Sequence, residues 1–133
     1  MPESTRQRLS IRWAENTGPY RKLIPMLRVA APEDIIVTAD DDIFYGENWL
    51  KKLVEAYEAT PNMLVAARVR KIKANVFGVN QSYLYWKIIT KPATVSDDFV
   101  VTFGGGVVLN LHMFCEKDIH NEEYLQLAPT ADD

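Results

Sequence analysis

The fold class is decided by residues 35–69, which read IIVTADDDIFYGENWLKKLVEAYEATPNMLVAARV. The stretch opens with a β-branched run, residues 35–37, of the kind that is buried on both faces of a parallel sheet. Asn48 can cap a following helix, whose apolar residues recur at helical spacing until Thr60 and Pro61 end it. Residues 64–69 then read as a second strand. Strand, helix and strand in this order normally build a parallel pair through a right-handed crossover, so the sequence predicts an α/β fold.

The flanking sequence predicts further elements around this unit. Residues 9–13 have the pattern of a short strand, and residues 16–19 have that of a turn before a helix, which Pro25 should kink or split because it lacks an N–H. Residues 99–103 and 107–111 are strand-like runs on either side of a glycine triplet, and we expect them to be antiparallel or edge elements.

Composition bounds the function. The 133 residues suffice for one domain, and a net charge of −3 with both signs interspersed argues against nucleic acid and against an anionic membrane surface as partners. Cys115 is the only cysteine, which excludes an internal disulfide framework and suits a small buried side chain in a reducing compartment. No apolar run has the length of an integral membrane segment or follows the N-terminus as a signal peptide would, so a cytoplasmic location is expected.

Three adjacent aspartates follow the first predicted strand. Side chains alternate in an extended chain, so Asp40 and Asp42 share one face. Two carboxylates roughly 6 Å apart repel by about 3 kcal/mol at an effective dielectric near 20, and a divalent cation is the natural relief. Oxygen ligands select magnesium, manganese or calcium, and magnesium typically adds waters and substrate phosphates to one or two carboxylates. The position also suits a ligand site, since ligands of open α/β sheets collect beyond the carboxyl ends of strands.

The triplet has three other interpretations. The aspartates can be solvated residues that precede a helix N-terminus, where negative charge is favoured. A calcium loop of the EF-hand type is rejected, because Tyr45 stands where that loop needs glycine. A phosphatase with an aspartyl nucleophile stays open as a weaker alternative, since Phe44 stands where its pattern has threonine or valine.

Four segments in order resemble the family 2-type glycosyltransferases of the glycosyltransferase A fold, in the form found in bacterial polysaccharide synthesis. They are GPYRKLIPMLR, IIVTADDDIFYGENWLKKLVEAYEATPNMLVAAR, FGGGVVL and LAPTADD, and the likeness spans residues 11–133. The resemblance implies a partial nucleotide-diphospho-sugar transferase fold, with a mixed, mostly parallel sheet and flanking helices. It also implies a nucleotide-diphosphate-sugar donor and a saccharide acceptor.

The resemblance assigns roles to the acidic residues. Asp40 and Asp42 correspond to the family's Asp-x-Asp pair, with Asp42 as the direct ligand of Mn²⁺ or Mg²⁺ and Asp40 near both the metal and the donor. Asp41 is a supporting donor-binding residue. An inverting transfer needs a general base for the acceptor hydroxyl, and the resemblance gives this role to Asp132 or Asp133.

Other candidates each have a structural alternative. Gly104, Gly105 and Gly106 can admit a sugar close to the backbone, or can simply form a tight turn. Trp86 can stack on an acceptor sugar, although aromatic residues at such spacing more often belong to a core. Lys22 can meet the diphosphate, or can lie on a solvated helix face.

The chain departs from the family pattern at its start. Residues 11–13 resemble the third strand of the family fold, so the first two nucleotide-binding strands are missing, and residues 1–133 are interpreted as a single partial domain. An exposed apolar edge would favour self-association, and a missing base pocket argues against activity of the chain on its own. The alternative to a glycosyltransferase is therefore a non-catalytic, oligomerising remnant of such a domain.

Overall fold

The computed structural model of the chain describes residues 8–89 and 91–129. Its α-helices are α1 (Ile24–Leu27), α2 (Trp49–Ala59), α3 (Glu116–His120) and α4 (Tyr124–Leu127). Its strands are β1 (Ile36–Val37), β2 (Val65–Ala66), β3 (Val69–Lys71), β4 (Lys87–Ile88), β5 (Phe99–Val101) and β6 (Val107–Leu109). Short 3₁₀ helices occupy Gly18–Lys22, Tyr83–Tyr85, Phe103–Gly105 and Leu111–Met113.

The strands form two small sheets. Sheet A has the order β1-β6-β2, and sheet B has the order β4-β3-β5. The last of the described strands, β6, is thus the centre of sheet A, where Val108 pairs with Val37 on one side and with Val65 on the other. All three residues of β6 are fully buried.

Helices cover both faces of sheet A. Successive residues of a strand point to opposite faces, so the buried strand β6 contributes side chains to both layers. Val107 and Leu109 point into a core with Leu27 of α1 and Ile119 of α3. Helix α2 packs against β2 and β6, and its buried residue is Leu53. The helix-sheet-helix layering around sheet A confirms the α/β class expected from sequence.

The prediction of a mixed, mostly parallel sheet is wrong for the described residues. Every described strand pair is antiparallel. β1 and β2 do run in the same direction with α2 between them, but β6 lies between the two strands and pairs with each. The pairing is set by a strand 70 positions after the end of β1, which a local sequence pattern does not reveal.

Two further strands predicted from sequence are not found in the structure as predicted. Residues 64–69 do not form one strand, because the chain passes from sheet A to sheet B between Ala66 and Val69. Residues 9–13 form no strand, and the side chains of Ile11 and Trp13 are 76% and 98% exposed. Without a neighbouring strand to satisfy its backbone, this β-prone run stays irregular.

The remaining local predictions have mixed outcomes. The helix around Pro25 is split as expected, into the 3₁₀ helix Gly18–Lys22 and α1, each with a proline in its first turn. The expectation that Cys115 is buried is wrong: Cys115 is exposed at the N-cap position of α3. Across residues 8–89 and 91–129, every helix is too short or too polar to cross a bilayer.

Candidate functional site

The acidic segment leaves sheet A through a side-chain hydrogen bond at the end of β1. The backbone N–H of Thr38 donates to the carbonyl of Val107 at 2.9 Å, as in a regular ladder. The returning N–H of Val107 donates to the Thr38 hydroxyl at 3.1 Å, instead of to the Thr38 carbonyl. The buried Thr38 therefore completes the sheet with its side chain, which lets the backbone turn away towards Asp40.

Asp40 is the partly buried member of the triplet. Its side chain is 20% exposed, and its Oδ1 lies 2.6 Å from Nζ of Lys22, at the end of the 3₁₀ helix Gly18–Lys22. Its Oδ2 lies against Gly104, where an added Cβ would come within 2.8 Å of that oxygen. The fold thus brings together three residues that the sequence analysis selected separately.

Tyr45 ties the acidic segment to the glycine loop. The backbone N–H of Asp40 donates to the Tyr45 hydroxyl at 2.7 Å, and that hydroxyl donates to the carbonyl of Gly104 at 2.9 Å. The Tyr45 ring also packs against Trp49, with ring centroids 4.0 Å apart. Sequence reasoning treated Tyr45 only as a mismatch to a calcium loop and missed this bridging position.

Each glycine of the triplet lies against a different side chain of the chain itself, which occupies the space beside it. Gly104 is next to Asp40, Gly105 is next to Arg68, and Gly106 lies against the indole of Trp49. Trp49 also donates its indole N–H to the carbonyl of Gly105 at 2.9 Å. Gly106 has φ +100°, a left-handed conformation that favours glycine. The described contacts are those of a tightly packed turn between sheets B and A.

Arg68 is a second residue that sequence reasoning missed. Its Nη2 lies 3.6 Å from the position of a Cβ on Gly104, so the guanidinium approaches the same point as the Asp40 carboxylate. Its Nε donates to the Thr102 hydroxyl at 2.7 Å. A charged residue inside the apolar run LVAARV was the available signal.

The other two aspartates are exposed. Asp41 and Asp42 occupy a turn directly after Asp40. Among the described residues, no group of three or more His, Cys, Asp or Glu side chains is arranged to hold a metal ion. The Lys22 ammonium already neutralises one oxygen of Asp40, so the structure pairs this carboxylate with a cation supplied by the protein.

The remaining predicted site residues lie elsewhere. Trp86 is half-buried in the hairpin of sheet B, where its indole N–H donates to the carbonyl of Gln81 at 2.9 Å and its ring meets Tyr83 edge to face. Asp132 and Asp133 lie outside the described residues. A surface cavity of about 500 Å³ is lined by Lys71, Ile89 and residues 93–98, and it shares no lining residue with the acidic segment or the glycine loop.

Comparison with known protein families matches residues 6–110 to the family described as Glycosyl transferase family 2. The match includes the acidic segment, Lys22, Arg68 and the glycine loop. Comparison with curated proteins found no match, and comparison with solved structures found none. Because the matched residues make up well over half of the 133, the chain belongs to glycosyl transferase family 2, and this membership indicates glycosyl transfer.

Proposed function

We propose that the chain forms the donor-binding part of a glycosyltransferase, which moves a sugar from a nucleotide-diphosphate sugar to a saccharide acceptor. The observation that carries the proposal is the position of Asp40, partly buried between Lys22 and Gly104 at the carboxyl end of β1. All three residues fall within the stretch that matches the family. A glycosyltransferase A arrangement and a cytoplasmic location are part of the same proposal.

Lys22 is proposed to bind the donor diphosphate. An ammonium group forms short, charge-assisted hydrogen bonds with phosphate oxygens. Its pairing with Asp40 holds the long lysine side chain beside the acidic segment, although the pair adds little stability because Lys22 is 36% exposed. The guanidinium of Arg68 supplies a second positive charge close to Gly104.

Asp42 is proposed as the direct ligand of Mn²⁺ or Mg²⁺, with Asp40 and Asp41 in support. The carboxylate oxygens of this segment have the hardness that these ions prefer, and the exposed Asp42 is accessible to an ion that arrives with the donor phosphates. When bound, the ion would neutralise charge that develops on the diphosphate leaving group. Asp40, held by Lys22, would supply a further carboxylate oxygen to the ion.

The proposal also includes the acceptor side of the site. Asp132 or Asp133 is the proposed general base of an inverting transfer, and Gly104–Gly106 with Trp86 are the proposed acceptor contacts. In the described structure the glycines contact Asp40, Arg68 and Trp49, so a sugar would meet the loop from its remaining open side. Self-association through exposed apolar surface also stays a prediction, which sedimentation at increasing protein concentration can test.

Calorimetric titration tests the donor and metal proposal. We expect Mn²⁺ to bind in the presence of uridine or guanosine diphosphate, and Asp42→Asn to weaken that binding by about tenfold or more, because a charged ligand is lost. Asp118→Asn, which removes an exposed carboxylate of α3, is the matched control and should leave binding unchanged. Absence of Mn²⁺ binding at millimolar nucleotide would contradict the proposal and favour a non-catalytic remnant.

The variant Lys22→Met tests whether Lys22 contributes to donor binding independently of the metal. We expect this variant to bind nucleotide diphosphate about tenfold more weakly without Mn²⁺, because one charge-assisted contact is removed. Arg21→Met, on the same 3₁₀ helix, removes a cation that bonds Asn16 instead of Asp40 and should bind as the wild type does. Equal losses in both variants would show that only net charge matters at this position.

A further inference from the structure

The net charge of the chain hides a strongly basic segment. Residues 59–96 contain six lysines and arginines and no aspartate or glutamate. Since the whole chain carries −3, the remaining 95 residues carry −9, the difference between −3 and +6. The interspersed charge assumed from composition therefore does not hold for this segment.

Three of these cations belong to a hairpin of sheet B, residues 69–89, which we call the cationic hairpin. Lys71 of β3 is directly opposite Lys87 of β4, and like charges in such a pair repel. Lys73 lies two residues beyond Lys71, between the end of β3 and the tip of the hairpin. All three side chains are exposed. The ion pairs of the described residues involve Lys22, Arg28 and Lys51, so none of them includes these three lysines. The acidic side chains near them are those of Asp97 and Asp98, which line the same cavity as Lys71.

The tip of the cationic hairpin is ordered and apolar. Ala74 bridges to Asn80, and the side-chain oxygen of Asn75 accepts the backbone N–H groups of Phe77 and Val79 at 2.9 and 3.0 Å. This folded turn exposes 93% of Val76, 86% of Phe77 and 61% of Val79. The protein thus builds a defined structure that holds apolar side chains in the solvent.

We propose that the cationic hairpin docks on an anionic lipid bilayer, with its tip in the interfacial layer and its lysines at the headgroups. The apolar face of an interfacial helix enters roughly 5–10 Å into the headgroup and acyl boundary, and we expect the same depth for the apolar tip. Four residues of extended chain span roughly 13 Å, so Lys71 stands at most that far behind Asn75, within reach of the lipid phosphates once the tip has entered. Asp97 and Asp98 line the cavity beside Lys71, whereas the other acidic residues of the chain are repelled by the same surface, which orients the molecule. This inference does not depend on sugar transfer.

The apolar tip favours a bilayer over other anionic partners. Nucleic acid or the acidic surface of a second copy would satisfy the lysines, but neither would take up three exposed aliphatic and aromatic side chains at the end of a hairpin. A bilayer interface supplies both environments at the required separation.

Vesicle sedimentation tests the proposal. We expect binding to phosphatidylcholine vesicles that contain phosphatidylserine, little binding to phosphatidylcholine alone, and a loss of binding at high salt. Lys73→Gln should weaken binding about fivefold, the effect of one lysine near an anionic surface, and Phe77→Ser should weaken it further. Lys52→Gln on α2 and Leu127→Ser on α4 remove an exposed cation and a side chain that is 81% exposed, and both should bind as the wild type does.

A second readout follows insertion directly. In a Cys115→Ser background, Phe77→Cys labelled with a polarity-sensitive dye should show a blue shift with anionic vesicles, and Leu127→Cys should not. Circular dichroism checks that each variant is folded. The proposal is overturned if the protein does not bind vesicles, if Lys73→Gln and Phe77→Ser bind as their controls do, or if the label at position 77 stays in water. It is equally overturned if the lysines prove to bind only a DNA oligonucleotide or a second copy.

Discussion

Gly104 and Gly106 exclude a Cβ for different physical reasons, although only Gly105 separates them in the chain. At Gly106 the obstacle is the rigid indole of Trp49 together with a positive φ, whereas at Gly104 it is the end of the Asp40 side chain. A rigid ring cannot move aside, but a carboxylate can rotate. The two positions should therefore separate an effect on stability from an effect on the site.

Gly106→Ala should lower the free energy of unfolding by about 2–4 kcal/mol, the sum of backbone strain and overpacking. Urea unfolding followed by tryptophan fluorescence would measure the change. Gly46→Ala is the control, because a Cβ there meets nothing within 4 Å, and it should change stability by less than about 1 kcal/mol. Equal stabilities for the two variants would mean that Trp49 does not pack as described.

Gly104→Ala should leave the free energy of unfolding within about 1 kcal/mol of the wild type, because Asp40 can rotate away. The displaced carboxylate should lose its short contact with Lys22, so we expect weaker binding of Mn²⁺ with nucleotide in the same calorimetric titration. Unchanged metal and nucleotide binding would show that the Asp40 position is irrelevant to the site.

Helix α2 shows what local sequence can predict at the scale of an element. Its first and last residues, Trp49 and Ala59, match the limits predicted from Asn48 and Thr60, although the Asn48 side chain makes no capping bond. Leu53 is one of the apolar residues that recur at helical spacing, and it is the buried residue of α2. The position of β6 at the centre of sheet A was not predictable in this way, since it depends on pairing with two distant segments.

The same helix offers a matched pair of substitutions. Leu53→Ala should lower the free energy of unfolding by about 2–5 kcal/mol, because Leu53 is 6% exposed and its removal leaves a cavity. Leu50→Ala removes the same atoms from a side chain that is 49% exposed and should cost less than about 1 kcal/mol. Thermal or urea unfolding would measure both, and similar losses would contradict the assignment of the α2 face that meets sheet A.

At the scale of the whole molecule, the two sheets are joined where the chain crosses between them twice. Arg68 lies on the first crossing and Thr102 on the second. The backbone N–H and the hydroxyl of Thr102 both donate to the carbonyl of Arg68 at 3.2 Å, and Nε of Arg68 donates to the same hydroxyl at 2.7 Å. Sequence analysis predicted strands on both sides of this junction but not the junction, because no local pattern links residues 34 positions apart.

Thr102→Val should lower the free energy of unfolding by about 1–3 kcal/mol, because it leaves the Arg68 guanidinium without its acceptor. Valine keeps the shape of the fully buried side chain, so the loss reports the hydrogen bond. Thr102→Ser keeps the hydroxyl and should cost less than the valine variant. Urea unfolding would rank the two. A larger loss for serine would indicate that the methyl group, and not the hydrogen bond, joins the sheets.

The acidic segment and Gly104 are far apart along the chain but adjacent in space, because the chain passes through sheet B between them. Sequence order correctly suggested that both belong to one family pattern, and the chain does belong to that family. It did not reveal that Asp40 contacts Lys22 and Gly104, since those contacts arise only when α1, β1 and β6 share one core.

The central place of β6 has a consequence for synthesis on the ribosome. β1 emerges 70 positions before β6 begins, which at about 5–20 residues per second means a delay on the order of 4–14 s. During that interval β1 and β2 have no strand to join, and their unsatisfied backbones are open to other nascent chains. Sheet A closes in a single late event, so translation pausing before Val107 should lengthen the period in which this protein needs a chaperone.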